Sequence, residues 1–179
     1  HAPYAALRDA YQQEVAGLLD GGADQGSLGL QQVLSGLDEQ AVGAKRAMKA
    51  AGRKIPLIAQ VTIEQTGTML LGSEIGAALT ALTPLGIDLI GLNCATGPAE
   101  MTEHLRHLAE YSQIPLSCMP NAGLPVLGKD GAEYPLTPKE LADAHDSFTV
   151  EYGLSLVGGC CGTTPEHLRQ VVERVRGRE

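Results

Sequence analysis

Tryptophan is absent from this chain, phenylalanine occurs once, and aromatic residues make up only 3% of its 179 residues. A core of ordinary density must therefore be built from Leu, Ile, Val and Ala. No apolar run approaches the roughly 20 residues that a membrane-spanning helix needs, and no secretory leader or lipidation motif is recognisable. Positive charge is short as well. Thirteen Lys and Arg against 21 Asp and Glu leave a net charge of -8, which argues against a nucleic-acid-binding surface or one for anionic membranes. Four cysteines are too few for a disulfide scaffold at this length, so a reducing cytoplasm is the expected compartment. The chain begins at His1 rather than Met, as a fragment or a processed product would.

What is present suits one globular domain. Hydrophobic residues make up 44% and charged residues 19%, and the length allows a sizeable core. Short apolar runs open at Pro56, Ile87, Ile114 and Leu154. Their spacing, roughly 27 to 40 residues, is the rhythm of βα units in a parallel sheet. Between them, helical patterns run over Ser73 to Leu82, Pro98 to about Tyr111, Thr137 to about Tyr152, and Thr163 to about Arg174. Thr137-Pro138-Lys139-Glu140 fits a capping box with proline at the first helical position. Upstream, helices are expected over Tyr4 to Leu19 and Gln40 to Ala51. A strand is expected within residues 24–36, although Gln25-Gly26-Ser27-Leu28-Gly29-Leu30-Gln31-Gln32 is glycine-interrupted and poor in β-formers. Residues 120–135 read as a long Gly/Pro-rich loop. Four or five such units are too few for an eight-stranded barrel of about 250 residues. A partial barrel and an open α/β sheet both fit the pattern.

The thiols carry the chemistry. Cys94 ends the apolar run Leu89-Ile90-Gly91-Leu92-Asn93-Cys94, and Gly158-Gly159-Cys160-Cys161-Gly162 follows Leu154-Ser155-Leu156-Val157. In a parallel sheet all strand C-termini share one edge, where ligands bind. Cys94, Cys160 and Cys161 therefore meet at that edge, and the flanking glycines let two consecutive side chains face one point. Three thiolates and one open position suit zinc, a soft-ligand metal that activates a further thiol. Buried, chemically inert thiols and a Cys160–Cys161 disulfide are the alternatives.

Other candidates read more blandly. Cys118 lies inside the run Leu116-Ser117-Cys118-Met119 and reads as a packed core thiol. Asn93 and Asn121 lie at the same sheet edge, and Asn121-Ala122-Gly123 reads as a turn. His104 and His107, three apart on a helix, read as part of a solvated face, and His145 and His167 as surface residues. A phosphate cradle at Gly158-Gly159 is disfavoured, because no Lys or Arg follows until Arg169.

Three segments carry a resemblance: Gly91-Leu92-Asn93-Cys94-Ala95-Thr96-Gly97-Pro98, Pro120-Asn121-Ala122-Gly123-Leu124-Pro125, and Gly158-Gly159-Cys160-Cys161-Gly162-Thr163-Thr164-Pro165. Together they resemble the homocysteine S-methyltransferase family. Gln60-Val61-Thr62-Ile63-Glu64 with Gly67-Thr68-Met69-Leu70 is similar to the homocysteine-binding domains of its cobalamin-dependent methionine synthase branch. The resemblance implies a (β/α)8 TIM barrel, of which residues 1–179 would be the C-terminal part, about strands 4 to 8. It implies zinc held by Cys94, Cys160 and Cys161, and homocysteine as substrate. It also implies Asn121 close to the metal, Asn93 behind the ligands, and methylcobalamin as methyl donor. The donor would be carried, with folate, by modules outside this chain, and a missing N-terminal barrel segment would be a further partner. Two departures stand out. The family's acidic segment near its first strand has no counterpart here, and Gly29 stands where its apolar-Glu-Thr motif would place a carboxylate. The resemblance therefore leaves three functional readings: a homocysteine-binding catalytic domain, a methyltransferase using a sulfonium or betaine donor, and a zinc-binding partial barrel that is inactive alone.

Overall fold

The computed structural model describes residues 3–21, 26–30, 34–129 and 131–176, with side chains throughout except in 26–30 and 34–38. The elements run α1 (Tyr4–Asp20), β1 (Gly26–Leu30), α2 (Leu34–Ala50), β2 (Leu57–Val61), α3 (Ile75–Leu82), β3 (Leu89–Asn93) and α4 (Pro98–Tyr111). They continue with β4 (Leu116–Met119), β5 (Val126–Gly128), β6 (Gly131–Glu133), α5 (Pro138–Tyr152), β7 (Leu154–Val157) and α6 (Pro165–Val175).

Five strands form one sheet in the order β1-β2-β3-β4-β7, every pair parallel. The order follows the chain and never reverses. It thus lacks the switch point that defines a doubly wound sheet, and the strands bring their C-terminal ends to one edge. All five residues of β2 are buried, as expected of a strand covered on both faces. The core is aliphatic, as the shortage of aromatics requires: Leu57, Val61, Ile90, Leu92, Leu105, Leu108 and Leu116 pack between sheet and helices.

Helix ends follow their sequence signals. Thr137 and Glu140 form the reciprocal cap expected of them, and α5 stops at Gly153, whose left-handed φ of 66° ends the helix without a Cβ penalty. Helices α4 and α6 also carry proline in the first turn.

Two expectations need correction, and the strand expected within residues 24–36 is present. Residues 120–135 are not a plain loop: β5 and β6 pair there as an antiparallel hairpin with Leu127 at 97% exposure. Helix α2 starts at Leu34, ahead of Gln40. The poorly β-forming Gly26–Leu30 is a full strand in register with β2, from Gly26 opposite Leu57 to Leu30 opposite Val61. Pairing along a buried neighbour overrides its weak propensity. The rest of the uncertain stretch, residues 22–25 and 31–33, lies outside the described residues.

Candidate metal centre

Strands β3, β4 and β7 are neighbours, so the turns that leave them meet. Cys94 follows β3 with φ 55°, and Ala95 follows with φ 57°. Two successive non-glycine residues in the left-handed region store strain of about 1–3 kcal/mol each. Flanking bonds hold them there: the Cys94 N–H donates to Met119 O at 3.1 Å, and the Thr96 N–H donates to Cys94 O at 2.6 Å. The kink turns the chain abruptly at the first thiol instead of letting it run on past the sheet.

The Gly158–Gly162 turn is tied on every side. Gly158 N–H donates to Cys118 O at 3.1 Å and Cys160 N–H to Pro120 O at 2.8 Å, while Cys161 O accepts from Ala122 N–H at 2.9 Å. The Thr163 hydroxyl donates to Cys160 O at 2.6 Å. Asn121 Oδ1 accepts the Cys161 N–H at 3.1 Å. Buried His145 on α5 approaches Gly158 O at 2.7 Å through Nε2. A carbonyl only accepts, so Nε2 carries the hydrogen, while Nδ1 is buried without a partner among the described residues.

The sulfurs of Cys94, Cys160 and Cys161 lie within 4.8 Å of one another. Cys161 Sγ is 3.9 Å from Cys94 Sγ and 4.0 Å from Cys160 Sγ. Tetrahedral zinc with Zn–S near 2.3 Å sets ligand sulfurs about 3.8 Å apart, so both spacings fit. Cys94 and Cys160 are disulfide-bonded, with Cα atoms 5.7 Å apart; the bridge thus joins the two strand ends and not Cys160 to Cys161, the pair suggested by adjacency in sequence. Adjacent residues share a stiff peptide, whereas β3 and β7 present their thiols face to face. A metal would take the dithiol form of that pair.

The asparagines differ in position. Asn121, 4% exposed, lies beneath the Cys161 turn as described. Asn93 Oδ1 accepts from the Thr62 hydroxyl at 3.1 Å, pairing β3 with the exit of β2. One layer deeper, Gln60 Nε2 donates to Ser117 Oγ at 2.8 Å across Gly91. A Cβ at Gly91 would overlap Ser117, so only glycine lets that bridge pass. Gln60 Oε1 is buried without a partner among the described residues.

Cys118 is the expected core thiol, fully buried 3.7 Å from Met101 Sδ, with its pKa pushed far up by burial. The histidine readings are revised. His145 is 0% exposed and His167 7%. His167 Nδ1 accepts the Thr164 N–H at 3.2 Å to cap α6, and Nε2 donates to Leu136 O at 2.9 Å. His104 and His107 are half-buried, His107 against the Tyr111 ring with centroids 4.7 Å apart. Sequence reasoning also passed over Tyr134, whose ring occupies the space a side chain at Gly162 would need. The one available signal was Gly162 itself, which has φ 76°.

A model of the homocysteine S-methyltransferase family matches residues 1–175. The methionine synthase of Mycobacterium tuberculosis is 63% identical over 175 residues, which is 98% of this chain and 15% of that protein. That of Mycobacterium leprae is 62% identical over 98% of this chain and 14% of its own length. The chain thus spans about one-seventh of the curated relatives it matches. Among solved structures, the metallated form of the homocysteine methyltransferase MmuM from Escherichia coli superposes with a TM-score of 0.76 at 23% identity, covering 97% of this chain and 53% of that one. Its apo form gives 0.73, with 58% of that chain covered.

Proposed function

This chain belongs to the homocysteine S-methyltransferase family, and from that premise we propose that it holds homocysteine and presents its sulfur for methylation to methionine. The observation that carries the reading is the cluster of three sulfurs within 4.8 Å at the C-terminal edge of a parallel sheet. Residues 1–179 are read as the C-terminal part, about strands 4 to 8, of a (β/α)8 barrel. The unreversed strand order supports this, as does coverage of only 53–58% of the solved structures the chain superposes on.

Cys94, Cys160 and Cys161 would hold zinc, since the donor set is soft and two of its spacings suit a tetrahedral ion. Zinc, when bound by three protein ligands, supplies one further position and deprotonates a thiol that is mostly protonated at pH 7. The chain's own residues do the rest. Asn121 fixes the Cys161 backbone, so the third sulfur is held before substrate arrives. His145 fixes Gly158 and with it the entry of the same turn. Asn93 and Thr62 line the sheet edge beside Cys94, with hydroxyl and amide groups able to bond the polar end of an amino acid. The sulfur so presented attacks a methyl group by displacement, its lone pair forming the new C–S bond as the donor leaves with the old bonding pair. Methylcobalamin, carried with folate by modules outside this chain, is the proposed donor. The support is the identity to methionine synthases roughly seven times as long.

A zinc-binding partial barrel without activity of its own is the second reading. It is favoured by Gly29, which stands on β1 where the family pattern has a carboxylate. One experiment separates the two. Metal analysis and X-ray absorption are run on the reduced chain with and without homocysteine. About one zinc with three sulfurs, gaining a fourth with homocysteine, supports the thiol-presenting reading. Zinc indifferent to homocysteine supports the inactive barrel, and absence of zinc defeats both. Competition between methylcobalamin and sulfonium or betaine donors then identifies the methyl source.

A further inference from the structure

Gln60 is out of character with its strand. All five residues of β2 are buried, and the other four are Leu57, Ile58, Ala59 and Val61. A glutamine enclosed in such a run needs partners for both ends of its amide. Gln60 is 2% exposed. Its Nε2 has a partner in Ser117 Oγ, whereas Oε1 has none among the described residues. The register shows why its own row supplies none. Gly29, Gln60, Gly91 and Ser117 lie opposite one another from β1 to β4, and residues in register share a face of the sheet. Glycine therefore stands on either side of Gln60, and the amide reaches over Gly91 to Ser117 with its oxygen on the far side.

The rows above and below differ in kind. Two residues down, Ile58 stands opposite Leu89, an apolar floor whose side chains carry no donor. Two residues up, Thr62 and Asn93 are half-buried and spend one hydrogen bond on each other. Cys94 follows Asn93 directly. The face therefore descends from the thiol cluster through the Thr62–Asn93 row to the Gln60 row, a step of roughly 6.6 Å for two strand residues. The bare acceptor lies between an apolar floor and the side from which a ligand at the cluster would reach it.

We infer that Gln60 is a further substrate-binding residue: its Oε1 accepts a hydrogen bond from the ammonium group of an amino-acid thiol whose sulfur lies at the cysteine cluster. The inference rests on the thiol-presenting reading above and deepens it, because it assigns one end of the amino acid to β2. Three carbons separate sulfur from nitrogen in homocysteine, a span comparable to the step between rows. A neutral amide suits the position. The bond it forms with an ammonium is charge-assisted, and the substrate-free chain is spared an unpaired carboxylate at this depth. The acceptor is left bare until a donor arrives, so a thiol that brings an amine gains over one that does not. Gln60 thus selects amino-acid thiols from thiols at large.

Cobalt(II) serves as the probe on the reduced 179-residue chain, its thiolate charge-transfer band reporting the binding of an added thiol. Homocysteine is titrated against 4-mercaptobutyrate, which keeps the sulfur and the carboxylate and lacks the amine. Gln60→Met removes the acceptor at nearly unchanged size. Homocysteine should then bind on the order of tenfold more weakly, as loss of one charge-assisted hydrogen bond implies, while 4-mercaptobutyrate binds as before. Equal losses for the two thiols, or no loss for either, overturn the role of Gln60 while the thiol-presenting reading stands. If Gln60→Met does not fold, Gln60→Glu decides. Its carboxylate should shift the ratio of the two affinities in favour of homocysteine, and an unchanged or lowered ratio overturns the role. A wild-type cobalt chain whose band responds to neither thiol overturns both the role and the reading beneath it.

Discussion

The side-chain oxygen of Asn121, on the turn after β4, receives the backbone N–H of Cys161, on the turn after β7. Two loops from neighbouring strands are thereby joined next to the sulfur that faces solvent. The bond is sequence-remote, 40 residues apart, and part-buried, with the Asn121 side enclosed at 4% exposure.

Asn121→Ala should therefore lower stability by about 0.5–1.5 kcal/mol, since a part-buried N–H loses its partner. It should also weaken metal retention in a chelator competition, whereas Asn121→Asp keeps an acceptor and most of both. Urea unfolding read alongside the competition checks the pair; an Ala variant that holds metal as tightly as wild type would refute the positioning role.

Replacing a cluster thiol should act on metal and not on the core. Cys160→Ala should reduce bound zinc sharply from about one per chain, and Cys118→Ala should leave it unchanged, because Cys118 is packed against Met101 away from the cluster. Elemental analysis after dialysis decides, and unchanged zinc in Cys160→Ala defeats the ligand assignment.

Gly162→Ala meets two penalties together, a φ of 76° and the Tyr134 ring. A destabilisation of about 2–4 kcal/mol is expected from strain and overlap combined. Gly52→Ala is the comparison: it has φ 63° but nothing within 4 Å of the added Cβ, so it should lose less in the same urea titration.

Stability should also fall with acid through the histidines. Burial holds the pKa of His145 below 6.5, only partly countered by Gly158 O, and burial lowers His104 as well. The unfolded chain then takes up protons that the folded chain refuses. Their contribution is fully present above pH 6.5 and is lost as the pH falls through the folded-state values. Between about pH 7.5 and about pH 5.5 the wild type should lose more stability than His145→Gln, which lacks one of the two groups. Equal losses in the two proteins would rule His145 out as a source.

The strand-end logic was legible because it needs only periodicity and topology: apolar runs before Cys94 and Cys160 place both thiols at one edge whatever the side-chain detail. The cap at Thr137–Glu140 was legible for a similar reason, being written in four consecutive residues. The β5–β6 hairpin was not, since three-residue strands leave too little alternation to read. His145 and His167 were misplaced because a histidine carries no burial signal of its own. What encloses them is a carbonyl from another segment, Gly158 O in one case and Leu136 O in the other. Tyr134 escaped for a similar reason, since the Gly162 it packs against lies on a distant turn.

Cys94 and Cys160 stand 66 residues apart in the chain. At synthesis rates of about 5–20 residues per second, Cys94 leaves the ribosome roughly 3–13 s before Cys160. Over that interval neither partner sulfur has been made, and β4, the hairpin and α5 are all synthesised before one arrives. A metal held by all three thiols could therefore be bound only once the turn after β7 has been made. A nascent chain halted before Gly158 would carry most of the core and one of the three clustered thiols.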